Sequence, residues 1–423
     1  MVHELAARKR RALATRIPQP RRTTGPAAGD LASGQQAASG RAGRRARVPI
    51  VLRLARPAMA VGIGLAAVGG VAAFAGPAQA AGFPAFPDAV YTMTNSPAGN
   101  AIEAFARAAD GTLTPAGTYP TGGDGGALGS GHSIAVGDLG LVVVNVNAGS
   151  NSISAFAVLP SGLHLIGTAS SGGTDPNSVA IRGDLVYALN AGTAGVPGSG
   201  SIAGFRLGLN GLTPIPGSDQ PLGAGALVPR QIQFTNNGRV LVVDEGGSAT
   251  IDTFVVGGDG AAGPATTTPS TGGGPFGFDF DRAGYLLVSD AALATGRAGA
   301  TSYSVANDGT VTANGPAVPI DQSAACWLAA AGNFAYTANA GSGSIGAFTV
   351  APNGTLTVLG ITLVENDAAS HPLDEGVSAG QHYLYVLANG LSQIVGYQVG
   401  SDGSLTQVTT VPVTAGSGGI GVN

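Results

Sequence analysis

Lysine, cysteine and tryptophan each occur once in 423 residues, and only 10% of the chain is charged. The single thiol, Cys326, can form no internal disulfide, so the fold must be held by its apolar core. What charge there is divides unevenly. Lys9 and 12 of the 19 arginines fall in residues 1–80 beside only Glu4 and Asp30. Residues 81–423 have seven arginines against 22 acidic residues, a formal net charge of −15. No basic stripe is available to neutralise phosphates, which argues against nucleic acid and anionic lipid as partners. The five histidines form no H-x-x-x-H pair and no cluster with cysteine. Calcium loops, P-loops and dinucleotide fingerprints are missing too, so neither a metal nor a cofactor is signalled.

Only one long uncharged apolar run exists, Ala58 to Gly76. It follows the basic segment "RRARVPIVLRLAR" and precedes "PAQA", with Ala78-Gln79-Ala80 as a small-residue site. This order reads as a secretory signal cleaved after Ala80, with a single membrane anchor as the alternative. Arg44-Arg45 fits a twin-arginine signal poorly. The expectation is an exported protein, secreted or associated with the cell envelope. Residues 1–80 then comprise a disordered basic N-terminus plus the signal, and residues 81–423 form one domain with no integral membrane segment.

What the chain has in abundance is glycine, 70 residues, with 26 prolines and 44% hydrophobic residues. An apolar, charge-poor, Gly-rich chain reads as many short strands joined by turns. One sentence recurs seven times. Its clearest copy is "YTANAGSGSIGAFTVAPNGTL" from Tyr336, with others starting at Tyr91, Val143, Tyr187, Leu241, Leu286 and Tyr385. An Asn or Asp closing the first strand of each copy marks the register: Asn95, Asn147, Asn190, Asp244, Asp290, Asn339 and Asn389. The spacing averages 49 residues, the period of a β-propeller blade. Each unit reads as four strands, the first entered through a Pro or small residue ("PNSVAI", "PRQIQF", "PFGFDF") and the last following an Asn-Gly or Asp-Gly turn. In "SIGAFTV" both alternating faces are apolar, as expected of a sheet sandwiched between neighbours. The C-terminal "GSGGIGVN" looks like a first strand with no second, and the first copy lacks a first strand. The prediction is an all-β, seven-bladed propeller of four-stranded antiparallel blades, its ring closed by the C-terminal strand completing the N-terminal blade. Such a closed ring is expected to be a monomer.

In this architecture the first strands line a central channel, and polar residues near their starts are the site candidates. They are His132 and Ser133, Asn177, Arg230, Gln231 and Gln233, Asp244 and Glu245, and His371, Asp374 and Glu375. Acid–base chemistry on a small molecule needs a group that moves a proton and a cation or donor that holds a carboxylate or oxyanion. His132 or Glu245 could do the first and Arg230 the second, with Gln233, Asp374 and Glu375 as substrate-binding residues. Asp244, in register with the Asn of other copies, also reads as a turn residue, whereas Glu245 has no counterpart by that alignment. Cys326 lacks a neighbouring base and reads as a small buried hydrophobe, Trp327 as core. Asp279-Phe280-Asp281 reads as turn chemistry at a strand end.

The stretches "PRQIQFTNNGRVLVVDEGGSATIDTF" and "ACWLAAAGNFAYTANAGSGSIGAFTVAPNGTL", with the count of seven, resemble the lactonase-type seven-bladed β-propellers. That family contains propeller-type 6-phosphogluconolactonases, fungal 3-carboxymuconate lactonising enzymes and exported bacterial members. The resemblance spans roughly residues 87–423 and implies a small-molecule lactone or sugar-like ligand, no metal, and a His, an Arg and a Glu at the channel mouth. This chain departs from the Pro-His of active members, having Pro176-Asn177, Pro229-Arg230 and Pro275-Phe276. Two functions follow as expectations: an exported lactonase-like enzyme, or a non-catalytic secreted propeller that binds a cell-envelope polymer or protein.

Overall fold

The computed structural model describes residues 88–126, 128–292 and 297–423; the expected signal segment, its cleavage point and the basic N-terminus lie outside them. Among the described residues there are thirty strands and four single-turn 3₁₀ helices, and no helix is long and apolar enough to cross a membrane. Seven antiparallel sheets follow one another along the chain, forming a seven-bladed propeller. The inner strands of blades two to seven are Ile134–Val136, Pro176–Arg182, Pro229–Phe234, Pro275–Phe280, Ala325–Ala331 and Pro372–Val377. In blades three and five the outermost strand is broken into two pieces, at Pro214 and Pro216 and at Pro316, because proline cannot donate to the ladder.

Blade one uses both ends of the described chain. Ala89–Met93 pairs with Ala101–Arg107 on one side and with Gly418–Val422 on the other. The closing strand is fixed further by Thr92 Oγ1, which donates to the Gly419 carbonyl at 2.7 Å, and by the Asn423 N–H on the Ala89 carbonyl at 3.0 Å. Sheet-to-sheet packing makes the core. In blade six, Ile345 and Ala347 pack with Leu384 and Val386 of blade seven, while Phe348 and Val350 pack with Leu287 and Ala300 of blade five. This is why "SIGAFTV" is apolar on both faces.

The Asx-Gly turns do more than reverse the chain. Gly111, at φ +83°, sits in the left-handed region, and a Cβ there would run into the Tyr383 ring of the adjacent blade seven. The carbonyl freed at such a turn accepts a tyrosine hydroxyl from the second strand of an adjacent blade. Tyr385 reaches Gly111 O at 2.7 Å, Tyr336 reaches Gly403 O at 3.0 Å and Tyr187 reaches Gly260 O at 2.6 Å. The recurring Tyr and the recurring Asp-Gly are therefore two halves of one inter-blade bond.

The repeat register needs correction in blades four and seven. Asn190, Asp290 and Asn339 pair with the first residue of their inner strands, and in blade four that place belongs to Glu245, opposite Pro229. Asp244 lies one residue earlier, and in blade seven the place is taken by Ala388 rather than Asn389. Two adjacent acidic residues disguised the register in blade four. Glu245 thus has counterparts in other blades and does what they do: its Oε2 accepts from Thr250 Oγ1 at 2.6 Å, as Asn339 bonds Ser344 at 3.1 Å.

Candidate functional site

Five of the seven equivalent channel positions are Ala or Gly: Ala135, Ala180, Ala329, Gly376 and Gly421. The remaining two, in adjacent blades, are Gln233 and Asp279. Small side chains on five sides leave room, and a cavity of about 400 Å³ results, bordered by His132, Arg182, Gln233, Asp279, Glu375 and Gln381. It also touches Asp138, Asn236 and Ser378, in the turns between first and second strands, so it lies toward that end of the channel. The sequence had directed attention to the opposite end, where the chain enters the inner strands.

Gln233 Nε2 donates to Asp279 Oδ1 at 3.0 Å, and its Oε1 accepts from Gln231 at 3.2 Å. Asp279 also accepts the backbone N–H of Phe280 at 2.8 Å and of Ala330 at 3.0 Å, so its carboxyl is fixed in orientation. Far from ending a strand as turn chemistry, Asp279 faces the cavity from within the inner strand, opposite Leu287. His132 is half-buried, in the left-handed region at φ +52°. Desolvation lowers its pKa and the nearby charge of Asp279 opposes that shift. A ring held neutral near pH 7 beside a fixed carboxyl is equipped to accept a proton.

Glu375 is the anomaly of the site. Its equivalents in the other inner strands are Ile134, Val179, Ile232, Phe278, Leu328 and Ile420, all buried apolar residues. Only 3% exposed, its carboxyl has no hydrogen-bond partner on either oxygen. Burial, then the neighbouring Asp374, hold its pKa well above the usual carboxylate range, which favours the un-ionised acid. Asp374 stands behind it and ties the ring together, its Oδ1 accepting from Glu375 N at 2.9 Å and its Oδ2 from Ile420 N at 3.0 Å. Burial outweighs these bonds and pushes Asp374 up to about 8.

Of the six candidates given catalytic or binding roles, His132, Gln233 and Glu375 therefore share the cavity and Asp374 supports it. Arg230 borders a different pocket at the other mouth: its Nη1 donates to Gly129 O at 2.6 Å, and its guanidinium stacks 4.2 Å from the Phe276 ring centroid. Glu245 borders neither space; it is fully buried, bonded to Ser248 and Thr250. Cys326 and Trp327 are buried as expected, and burial raises the thiol to about 12, leaving it inert near neutrality. Asp279, which the sequence read as turn chemistry, also borders the cavity, as do Arg182 and Gln381, which sequence patterns did not single out. The signal for Asp279 was present in the aligned inner strands, where a polar residue replaces Ala or Gly. Among the described residues no group of three or more His, Cys, Asp or Glu is arranged to hold a metal.

Buried carboxyls also set the pH response. Asp290 occupies the register position filled by Asn in blades two, three and six, and burial lifts it from 3.8 to about 6 despite the Thr301 hydroxyl on its Oδ2. Both Asp290 and Asp374 have folded pKa values raised above those of the unfolded chain. Their contribution to stability is complete below pH 3.8 and is lost as pH rises through about 6 and then about 8. The melting temperature is therefore expected to fall between pH 5 and pH 9. Asp290→Asn should flatten the lower part of that fall and add about 3 kcal/mol at pH 8. Scanning calorimetry at several pH values checks both; a melting temperature constant or rising toward pH 9 would contradict the assignment.

No protein-family model matches this chain, and no curated protein matches it either. Solved structures do. A candidate 6-phosphogluconolactonase of Bacteroides fragilis aligns with TM-score 0.60 at 20% identity, over 80% of this chain and 98% of its own. A second, from Bacteroides uniformis, gives 0.61 at 19%, over 80% and 100%. The periplasmic gluconolactonase of Pseudomonas aeruginosa gives 0.58 at 14%, over 77% and 97%. At these identities the likeness establishes the fold: this chain is similar to the seven-bladed propellers among which such lactonases are found.

Proposed function

We propose that the central cavity opens a small lactone ring, or forms it in the reverse direction. The observation that carries this reading is that His132 shares the cavity with Gln233 and Asp279, the two polar residues among seven equivalent channel positions that are otherwise Ala or Gly. A volume of about 400 Å³ suits a ligand of monosaccharide size. In the hydrolytic direction His132 accepts a proton from water as the water oxygen attacks the lactone carbonyl, and Asp279 stabilises the imidazolium that forms. Un-ionised Glu375 is the donor for the developing oxyanion, as a neutral carboxylic acid can be in an apolar site. The imidazolium then returns its proton to the ring oxygen as the acyl C–O bond breaks, giving the hydroxy acid. Arg182 at the border of the cavity is placed to hold a carboxylate or phosphate on the substrate. Export of the protein, expected from the signal segment, belongs to the same reading and would put this chemistry outside the cytoplasm.

The test is a pH-stat panel of five- and six-membered sugar-acid lactones, with and without an added carboxylate or phosphate. Ring opening above the spontaneous rate is expected; binding without turnover would favour a non-catalytic propeller. Glu375 separates the readings further. Replacing it by Ile, as in blades two and four, removes an unsatisfied buried carboxyl and should stabilise the fold by about 1–3 kcal/mol. The same change is expected to lower kcat by at least tenfold. A variant that is more stable and fully active would remove Glu375 from the mechanism.

A further inference from the structure

The opposite mouth carries a second pocket, of about 240 Å³, between blades three and four. Asp175, Asn177 and Arg230 border it together with the segment Ala191 to Val196. That segment belongs to the longest connection between second and third strands in the propeller, residues 191–200, where blades two, four and six use four residues. The extra length is not slack. Gly192 N donates to Thr174 O at 3.0 Å, Gly198 N to Ala226 O at 2.9 Å, and Ser199 Oγ accepts from Thr193 N at 2.9 Å, so the loop is built as a wall. Extended loops on one face of a repeat array often mark the binding face.

The pocket also has unspent polar capacity of both signs. Arg230 spends one N–H on Gly129 and leaves its buried Nε without a partner. Asp175 is half-buried, its carboxyl accepts no hydrogen bond, and desolvation raises its pKa. Neither enters any of the three ion pairs among the described residues. Asn177, 8% exposed, donates to Pro229 O at 2.8 Å and leaves its Oδ1 unbonded. A guanidinium and a carboxyl that share a pocket without pairing are matched by a ligand carrying both opposite charges. We infer that this mouth binds a small zwitterion of the α-amino-acid class. Its carboxylate meets the Arg230 guanidinium, and its ammonium meets the Asp175 carboxyl. The pocket is separate from the lactone cavity: no residue borders both.

Calorimetric titration of the full chain with glycine, L-alanine and L-serine, and with acetate and methylammonium as the two halves, tests the inference. At least one amino acid is expected to bind ten times or more tighter than either half. Arg230→Gln and Asp175→Asn should each weaken it at least tenfold, whereas His132→Gln, in the other cavity, should leave it unchanged. Asp175→Asn, at a half-buried loop position, keeps the test valid if Arg230→Gln fails to fold. Acetate binding as tightly as the amino acids, no binding of any of the three, or full affinity in folded Asp175→Asn would each overturn it.

Discussion

Deletion of residues 416–423 is expected to abolish the cooperative melting of the propeller. The lost segment supplies the whole inner strand of blade one, Gly418–Val422. Its removal exposes one edge of Ala89–Met93, every residue of which is buried. Three penalties coincide. Ile420, 3% exposed, gives up about 2 kcal/mol of apolar burial. Asp374 loses the Ile420 N–H and leaves a buried carboxyl oxygen unsatisfied, at about 1–3 kcal/mol. The Thr92 and Ala89 bonds to the segment vanish as well, and the open ring presents a free edge to other chains. Together these approach the 5–15 kcal/mol that holds a typical domain folded. Circular dichroism on heating would show a broad, early transition with aggregation; an unchanged melting temperature would show that the ring does not depend on this strand.

Replacement of His132 by Gln is expected to lower kcat/KM for lactone opening by about 10²- to 10⁴-fold, the usual contribution of a positioned proton acceptor. Gln keeps polarity and approximate size but cannot take a proton. The pH dependence gives a second signature. Because desolvation lowers the His132 pKa below 6.5, the acid limb of the wild-type kcat/KM profile should lie below that value, with a plateau through neutrality. In His132→Gln the limb should disappear along with the rate. A profile whose acid limb survives the substitution would assign it to another group.

The fold was legible because its signals are local. Tyr and Asx-Gly recur in most blades and a short apolar alternation in all of them, and each has its own physical reason within a few residues, so the count of seven and the closing strand followed from pattern. The site was legible only in part. His132, Gln233 and Glu375 stood out as polar residues in first strands, but a linear sequence does not say which end of a channel is wide. That depends on the ring of Ala135, Ala180, Ala329, Gly376 and Gly421, contributed by five different blades. Asp279 was hidden by its nearness to the turn at Asp281, whose Oδ1 does accept the Tyr285 N–H at 2.8 Å as turn chemistry requires. Arg182 was hidden in an ordinary-looking Arg-Gly-Asp turn. Glu245 attracted attention as a singular residue because an alignment by eye set Asp244 in its place, and only strand pairing reveals it as the hairpin lock of blade four.

The reading as a whole places proton transfer in the central cavity and denies it to the buried hairpin lock. One comparison tests that division: initial rates of lactone opening by wild type, His132→Gln and Glu245→Gln, each first shown to be folded by its melting curve. The expected result is a loss of at least 100-fold in His132→Gln and a rate within about threefold of wild type in Glu245→Gln, which keeps a hydrogen-bonding group beside Thr250. Activity retained in His132→Gln, or abolished in a folded Glu245→Gln, would contradict it.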